Sequence, residues 1–248
     1  MEPSRSVPRL LIHPPTHPLL SLLYVPLGFL IALVLAYIVG FTANRLPHPY
    51  DYYVILASTL IALSPILSYV NVIVKELESS EELVLAVEYV SLYGIPVPIP
   101  ALVKQRRKLI IAVNLGGAAI PVIVSLIFLK LAIDLLGLGV IVPYLIAVMI
   151  TSIVTFWFSR VIPGVGIAVP ALIPPLTAAM VVSFLFGVGL IPGLLAYSVG
   201  SLGSLLGADV FRLLKDLDKL KTGFASIGGV GVFDGIFLSG FLALLLTI

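Results

Sequence analysis

The sequence predicts an all-α polytopic membrane protein with about seven transmembrane helices and a small β-containing cytoplasmic insertion. Of its 248 residues, 60% are hydrophobic and only 10% are charged, whereas soluble domains carry roughly 25% charged residues. Apolar runs long enough to cross a bilayer recur along the chain, and the mean hydropathy is +1.21. A soluble core is therefore excluded, and the lipid bilayer is the expected partner.

Hydropathy and helix-breaking residues divide the chain into seven candidate spans. They cover residues 19–41, 52–70, 109–134, 139–158, 174–191, 193–214 and 228–248. The second span contains Pro65 and the fifth begins at Pro174, which leaves half-spans and a count of six to eight open. The expected domains are a cytoplasmic tail (1–18), the first two spans (19–70), a polar insertion (71–108) and a five-span membrane domain (109–248).

The positive charges predict the orientation in the membrane. With seven crossings, twelve of the 14 Lys and Arg residues lie on the side of the amino terminus, and Arg45 and Lys130 lie on the other. The positive-inside rule then places the amino terminus in the cytoplasm and the carboxyl terminus outside. The expected location is the cell membrane, as a multi-pass protein.

The polar insertion is predicted to contain a β-hairpin. Two β-rich runs, 71–77 and 82–90, flank the sequence Glu-Ser-Ser-Glu at 78–81, which predicts the turn. The alternate prolines at 96, 98 and 100 exclude a helix or a central strand there. The basic cluster at 104–108 is expected at the lipid headgroups, and nucleic-acid binding is not expected from one short cluster.

Two segments at membrane depth are predicted to depart from regular helix, because both combine proline with glycine. They are residues 114–121, which begin with Asn114, and residues 162–175. Irregular backbone in the hydrocarbon requires protein or a water-filled cavity around it, so both segments indicate a polar cavity open to the cytoplasm. A tight interfacial turn is the alternative for 162–175, and an interhelical hydrogen bond is the alternative for Asn114.

Asp209 and Asp234 lie inside the last two predicted spans. An aspartate at the bilayer centre costs about 2.5–3.5 kcal/mol on insertion scales. The helical rise puts both residues roughly 8–12 Å from the cytoplasmic end of their spans, and the short connection makes the spans antiparallel neighbours. Small residues beside them, including Gly207, Gly231 and Gly235, permit close helix packing. The two carboxyl groups are therefore expected to converge.

Such a pair of carboxyl groups has three interpretations. A dyad that shares one proton can activate water and protonate a leaving nitrogen, as in aspartyl proteolysis. The same dyad in a cavity can carry protons for a transporter or permease of a small solute. In the structural interpretation, Asp209 pairs with Arg212 or Lys215 and Asp234 caps a helix. No cofactor or metal is expected from a chain with no cysteine and three histidines.

Four stretches, residues 111–121, 166–175, 206–209 and 226–240, carry a resemblance that covers most of the chain from the second span onward. On these stretches the chain is identified as a member of an uncharacterised family of archaeal and bacterial multi-pass membrane proteins, domain of unknown function 1614. The resemblance implies a polytopic membrane fold and brings no known activity.

The chain also resembles, more weakly, the intramembrane aspartyl proteases presenilin, signal peptide peptidase and the prepilin peptidases. Those enzymes carry one aspartate on each of two consecutive helices joined on the cytoplasmic side, and the second closes a Gly-x-Gly-Asp motif. Here the segment Gly229-Val-Gly231-Val-Phe-Asp234 has two additional residues before the aspartate. Residues 170–172 spell the Pro-Ala-Leu of those enzymes but precede both aspartates, and Ala208 stands where a tyrosine is common.

The sequence thus predicts a cytoplasm-facing site. Its predicted members are the catalytic pair Asp209 and Asp234, the substrate contacts Pro170, Ala171, Leu172 and Asn114, and the supporting glycines Gly207, Gly229, Gly231 and Gly235. The leading hypothesis is an aspartyl-protease-like hydrolase acting on a membrane-spanning peptide. A proton-coupled transporter and a non-catalytic structural protein are the alternatives.

Overall fold

The computed structural model describes residues 10–12, 18–43, 45–46, 48–92, 95–162, 166–216, 224–229 and 235–248. The chain is mostly helical, with helices α1 (Pro18–Ala43), α2 (Asp51–Leu67), α3 (Ile120–Leu136), α4 (Ile141–Phe158), α5 (Ile173–Phe186), α6 (Leu190–Ser204), α7 (Leu213–Lys215) and α8 (Gly235–Thr247). Its strands are β1 (Leu10–Ile12), β2 (Val70–Leu92), β3 (Ile95–Asn114), β4 (Arg160–Ile162), β5 (Gly166–Ala168) and β6 (Phe224–Ile227).

Three helical stretches of the described chain are long and apolar enough to cross a membrane, which confirms the prediction of a mostly helical chain with candidate membrane spans, while the count of about seven crossings stays a prediction. They are Leu115–Leu136, Leu138–Phe158 and Leu190–Lys215. Four further apolar helices are shorter, at Gly28–Phe41, Asp51–Leu67, Ile173–Phe186 and Gly235–Thr247. Glycines in the left-handed region end α3 and α5, at Gly137 (φ 84°) and Gly187 (φ 81°), as is common at helix carboxyl ends.

Two of the long stretches contain π-helix. Residues Leu115–Ala119 form a π-helical turn before α3, and Leu205–Arg212 form a longer π-helical segment between α6 and α7. The departure from regular helix predicted at 114–121 is therefore confirmed. Residues 160–162 and 166–168 form the β4–β5 pair, so the described part of the segment 162–175 also departs from regular helix before α5. The π-helix around Asp209 was not predicted.

The main sheet has four strands in the order β1-β2-β3-β6. Strands β2 and β3 form a long antiparallel ribbon, and β1 adds to β2 in the antiparallel direction. Strand β6 pairs with the end of β3 in the parallel direction, from Ile110 opposite Phe224 to Val113 opposite Ile227. The sheet therefore joins a segment before α3 to a segment before α8.

The sheet corrects three sequence predictions. Strand β2 continues through residues 78–81 with an irregularity in register, and its last pair with β3 is Leu92 opposite Ile95, so the predicted turn position is wrong. The third span does not begin at 109, because residues 109–114 complete β3. The β-structure is not confined to 71–108 either, since β1 and β6 come from outside that segment. At residues 96–100, which include the alternate prolines, β3 pairs with β2 on one side and has no β6 residue on the other. This part of β3 is therefore an edge strand, the position to which proline is restricted in sheets.

Helix α6 is the centre of the helical bundle. All residues from 193 to 201 are buried, and α6 packs against α3, α4, α5 and α8. A Cβ atom added to Gly200 would lie 2.9 Å from the carbonyl oxygen of Ser239 on α8, and the hydroxyl of Ser239 donates to the carbonyl of Gly200 at 3.1 Å. The close approach predicted for the last two spans is therefore confirmed at this pair.

Two of the predicted supporting glycines have other neighbours. Gly207 packs against α4, where an added Cβ would lie 2.8 Å from the Cβ of Thr155. Gly235 is exposed at the start of α8, and an added Cβ would meet no atom of the described residues within 4 Å. The absence of a side chain at Gly207 thus allows close packing against α4, and not against α8.

Candidate functional site

Asn114 lies at the point where β3 ends and the third helical stretch begins. Its side chain is fully buried, and its Oδ1 atom accepts a hydrogen bond from the backbone N–H of Gly117 at 2.7 Å. Its Nδ2 atom donates to the backbone carbonyl of Ser68 at 2.6 Å and to Oδ1 of Asn71 at 3.2 Å. Asn114 is therefore the amino-terminal cap of the stretch that leads into α3, and it ties that stretch to the end of α2.

Asn71 extends this polar contact across the sheet. It is fully buried on β2 directly opposite Asn114, and its Oδ1 atom also accepts from the hydroxyl of Ser226 on β6 at 2.7 Å. Within the described part of the chain, its Nδ2 atom has no hydrogen-bond partner. A buried donor without an acceptor is costly, so this amide is a local weakness of the junction.

Asp209 meets the same junction from the side of the helical bundle. It lies half-buried on the π-helical segment, and its Oδ2 atom accepts from the backbone N–H of Gly228 at 2.6 Å. Gly228 and Gly229 follow β6 with φ of 89° and 86°, a conformation that favours glycine. The structure thus brings Asp209 to the glycine segment that precedes Asp234.

The predicted partner of Asp209 falls outside the described residues, as does Gly231. Helix α8 begins at Gly235, the residue that follows Asp234 in the chain. The separation of the two carboxyl groups therefore stays a prediction, while the attachment of Asp209 to Gly228 is observed.

Residues 170–172 lie between β5 and α5, where the Ile173 N–H closes a turn by donating to the Pro170 carbonyl at 3.1 Å. Pro170 and Ala171 are exposed, and Leu172 is 60% exposed. Strand β5, which precedes them, contacts the π-helical segment that carries Asp209. The Pro-Ala-Leu sequence therefore lies at the same end of the bundle as Asp209 and presents an apolar side chain at the surface.

Arg212 binds the carboxyl end of α4. Its guanidinium donates to the Phe156 carbonyl at 2.8 Å, to the Ser159 hydroxyl at 2.9 Å and to the Ser159 carbonyl. The ion pair of Arg212 is with Asp216, at 3.2 Å. Lys215 lies with its ammonium 5.2 Å from the centroid of the Phe156 ring. These contacts attach the carboxyl end of the helical stretch Leu190–Lys215, which contains Asp209, to α4.

Another polar contact lies at the opposite end of the bundle. Lys130 pairs with Asp134 on α3, which confirms the i, i+4 ion pair that their spacing indicates. The hydroxyl of Tyr53 also donates to Asp134, at 3.1 Å. Among the described residues, no group of three or more acidic or histidine side chains forms a cluster suited to a metal ion.

Sequence reasoning missed four members of the junction: Ser68, Asn71, Gly117 and Ser226. Each is a small or amide-bearing residue at the end of a strand or helix, and Asn71 and Ser226 come from strands whose pairing is not local. The one sequence signal for them is a polar side chain directly beside an apolar run. That signal places a residue near a membrane boundary and does not identify its partners.

A family model described as a protein of unknown function (DUF1614) matches residues 66–246 of the chain. The match includes the positions of Asn71, Asn114, Asp209, Gly228 and Asp234, and it leaves out α1 and β1. No curated protein and no solved structure matches the chain.

Proposed function

The chain belongs to the DUF1614 family of proteins of unknown function, and we propose that it is an aspartate-dependent hydrolase of the cell membrane. Asp209 and Asp234 are the proposed acid–base pair, and a membrane-spanning peptide is the proposed substrate. The observation that carries this proposal is the hydrogen bond from the Gly228 N–H to the carboxylate of Asp209, because it attaches one aspartate to the segment that leads to the other.

The proposed topology has seven membrane crossings, with the amino terminus in the cytoplasm. It combines the three long apolar stretches with the four shorter helices. The end of the bundle that carries Asp209, Arg212 and Lys215 then faces the cytoplasm, in accord with the distribution of basic residues. The β2–β3 ribbon lies at the same end, since it connects α2 to α3.

The hydrogen bond supports a division of roles between the two carboxyl groups. A backbone N–H that donates to a carboxylate stabilises its ionised form, and such charge-assisted bonds are about twice as strong as neutral ones. We therefore assign the general base to Asp209 and the protonated acid to Asp234. Two carboxyl groups with different surroundings can hold these two protonation states side by side.

In the proposed reaction, Asp209 removes a proton from a water molecule, and the water oxygen attacks the carbonyl carbon of the peptide bond. Asp234 gives its proton to the carbonyl oxygen. The proton held by Asp209 then passes to the leaving nitrogen, one hydroxyl of the tetrahedral gem-diol returns its proton to Asp234, and the C–N bond breaks to release an amine and a carboxylic acid. The exposed Leu172, with Pro170 and Ala171, is the proposed contact for the extended substrate strand.

The test uses the purified full chain in lipid nanodiscs. A photo-crosslinking peptide analogue that carries a hydroxyethylene group, which mimics the tetrahedral intermediate, should label the wild-type protein. Asp209→Asn and Asp234→Asn should each reduce labelling and cleavage of membrane-spanning peptides at least about 100-fold, in line with the loss of one acid–base group.

Asp51→Asn is the matched control, because Asp51 begins α2 at the other end of the bundle and bonds His48 at 2.9 Å. This variant should be labelled like the wild type. Cleavage or labelling that survives in Asp209→Asn would exclude the hydrolase, and so would a wild-type protein that is never labelled.

A second function, proton-coupled transport, is supported by hydroxyl groups in the middle of the bundle. The hydroxyls of Tyr144 and Ser198 are hydrogen-bonded between α4 and α6, and Ser198 also donates to the Ser125 carbonyl on α3 at 3.3 Å. Among the described residues, the Ser125 hydroxyl has no hydrogen-bond partner. Asp209 follows Ser198 by about 16 Å along the helix axis, so the hydroxyls extend inward from the side of the carboxylate.

Transport is tested in proteoliposomes that enclose a pH-sensitive dye. A transporter should move protons when solutes from a panel of organic anions, amino acids and sugars are supplied on one side. Asp209→Asn and Ser198→Ala should both abolish this flux, while Ser58→Ala, a hydroxyl on α2 outside this group, should not. If no solute drives proton movement, the hydroxyls serve helix packing alone.

A further inference from the structure

A cavity of about 280 Å³ lies where α1, α6 and α8 meet, at the end of the bundle opposite to the sheet. Arg45 is the one charged residue among the described residues that line it, which are Tyr37, Ile38, Phe41, Arg45, Leu190 and Ile248. Tyr37 is 73% exposed and Phe41 is 50% exposed. The cavity therefore opens sideways, towards the surroundings of the bundle.

The cavity lies at the level where the helices end. Helix α1 ends at Ala43, α6 begins at Leu190 and α8 ends at Thr247. The Gly189 N–H donates to the Thr247 carbonyl at 2.8 Å, which fixes the start of α6 beside the end of α8. In a membrane this level is the boundary between acyl chains and headgroups, where tyrosine is enriched.

Arg45 lies at the mouth of the cavity. It is exposed, and its guanidinium carbon lies 5.3 Å from the centroid of the Phe41 ring. The Phe41 ring in turn stacks with Tyr37 at 6.3 Å between centroids. Among the described residues, no carboxylate lies within ion-pair distance of Arg45. Stacking on an aromatic ring orients the guanidinium and leaves its N–H donors available for an anion.

We propose that this cavity binds an anionic phospholipid, with part of an acyl chain in the cavity and the phosphate on Arg45. The volume lies just below the range of about 300–1,000 Å³ that holds whole small ligands, so it suits a segment of a chain. The planar guanidinium binds phosphate oxygens in a bidentate manner. Of the six lining residues, only Leu190 falls within the family match, which covers residues 66–246, and the site is independent of the proposed hydrolase.

The experiment is native mass spectrometry of the full chain released from nanodiscs that contain equal amounts of phosphatidylglycerol and phosphatidylcholine. Wild-type protein should retain about tenfold more phosphatidylglycerol than phosphatidylcholine, which is the preference that one charge-assisted contact provides. Arg45→Gln should remove this preference. Leu190→Trp should reduce retention of both lipids, because the indole fills the cavity while the charge remains.

Arg160→Gln is the control, since Arg160 is an exposed arginine at the other end of the bundle. It should retain the wild-type preference. Equal retention of the two lipids by the wild type, or a preference that persists in Arg45→Gln, would overturn the assignment of the phosphate to Arg45. Unchanged retention in Leu190→Trp would overturn the assignment of the acyl chain to the cavity.

Discussion

A Cβ atom on Gly117 would lie 2.9 Å from the carbonyl carbon of Gly228 and closer still to its oxygen. Gly117 is capped by Asn114, and Gly228 donates to Asp209. The start of the third helical stretch and the segment before α8 are thus in backbone contact. The position of Asp209 therefore depends on side-chain-free backbone at both glycines.

Gly117→Ala should destabilise the protein by about 3 kcal/mol or more, because the new methyl group would overlap backbone that cannot move independently. Thermal unfolding of the purified chain in detergent measures the effect. Gly139→Ala is the control, since a Cβ there meets nothing within 4 Å, and its midpoint should equal that of the wild type. Equal midpoints for both variants would show that the two segments are not in contact.

Asn114→Ala should cost about 2–3 kcal/mol. The change removes the cap at Gly117, typically about 1 kcal/mol, and leaves the buried carbonyl of Ser68 without its donor. Ser58→Ala is the comparison, because the Ser58 hydroxyl bonds within α2 near the surface and should cost less than about 0.5 kcal/mol. Similar losses for the two variants would contradict the role of Asn114 in the junction.

Arg212→Gln should destabilise the protein by about 3 kcal/mol, because it breaks a buried ion pair with Asp216 and removes the donors that bind the carboxyl end of α4. Adding Asp216→Asn should restore part of the loss, since a buried negative charge is then removed. Lys215→Gln changes an exposed neighbour and should stay within about 0.5 kcal/mol. A double variant less stable than Arg212→Gln would indicate that Asp216 has another essential contact.

Gly207→Ala and Gly235→Ala should differ in their effects. The first places a methyl group 2.8 Å from the Cβ of Thr155 on α4 and should cost about 1–3 kcal/mol. The second places it in open space and adds a better helix former, so stability should be unchanged or slightly raised. The unfolding midpoints of the two variants are measured side by side. A lower midpoint for Gly207→Ala alone would show that packing against α4 requires glycine at 207 and that α8 does not require it at 235.

Hydropathy located most of the helices well. The predicted spans 139–158 and 193–214 compare with Ile141–Phe158 and Leu190–Lys215 in the structure. Apolar composition over about 20 residues is a local property that follows from bilayer thickness. The departures from helix at Asn114 and at the β4–β5 pair were equally predictable, because proline and glycine act on the backbone beside them.

The junction itself could not be predicted in the same way. Strand β6 pairs with β3 across more than one hundred residues, and no local pattern specifies such a partner. The π-helix at Asp209 has no sequence signal either, since it depends on how α4 and β6 pack around it. The attachment of Asp209 to Gly228 follows from that non-local pairing, so only the structure shows it.

The parallel pairing of β3 with β6 also sets the order in which the protein can be completed. A ribosome delivers the β2–β3 ribbon early, while β6 emerges only after α3, α4, α5 and α6. The edge of β3 at residues 110–113 has no β6 strand beside it until four further helices have been synthesised. Long-range pairing of this kind is slow and exposes strand edges to wrong partners. Asp209 can therefore receive its hydrogen bond only after Gly228 has been synthesised, and a nascent chain released before residue 228 lacks this contact.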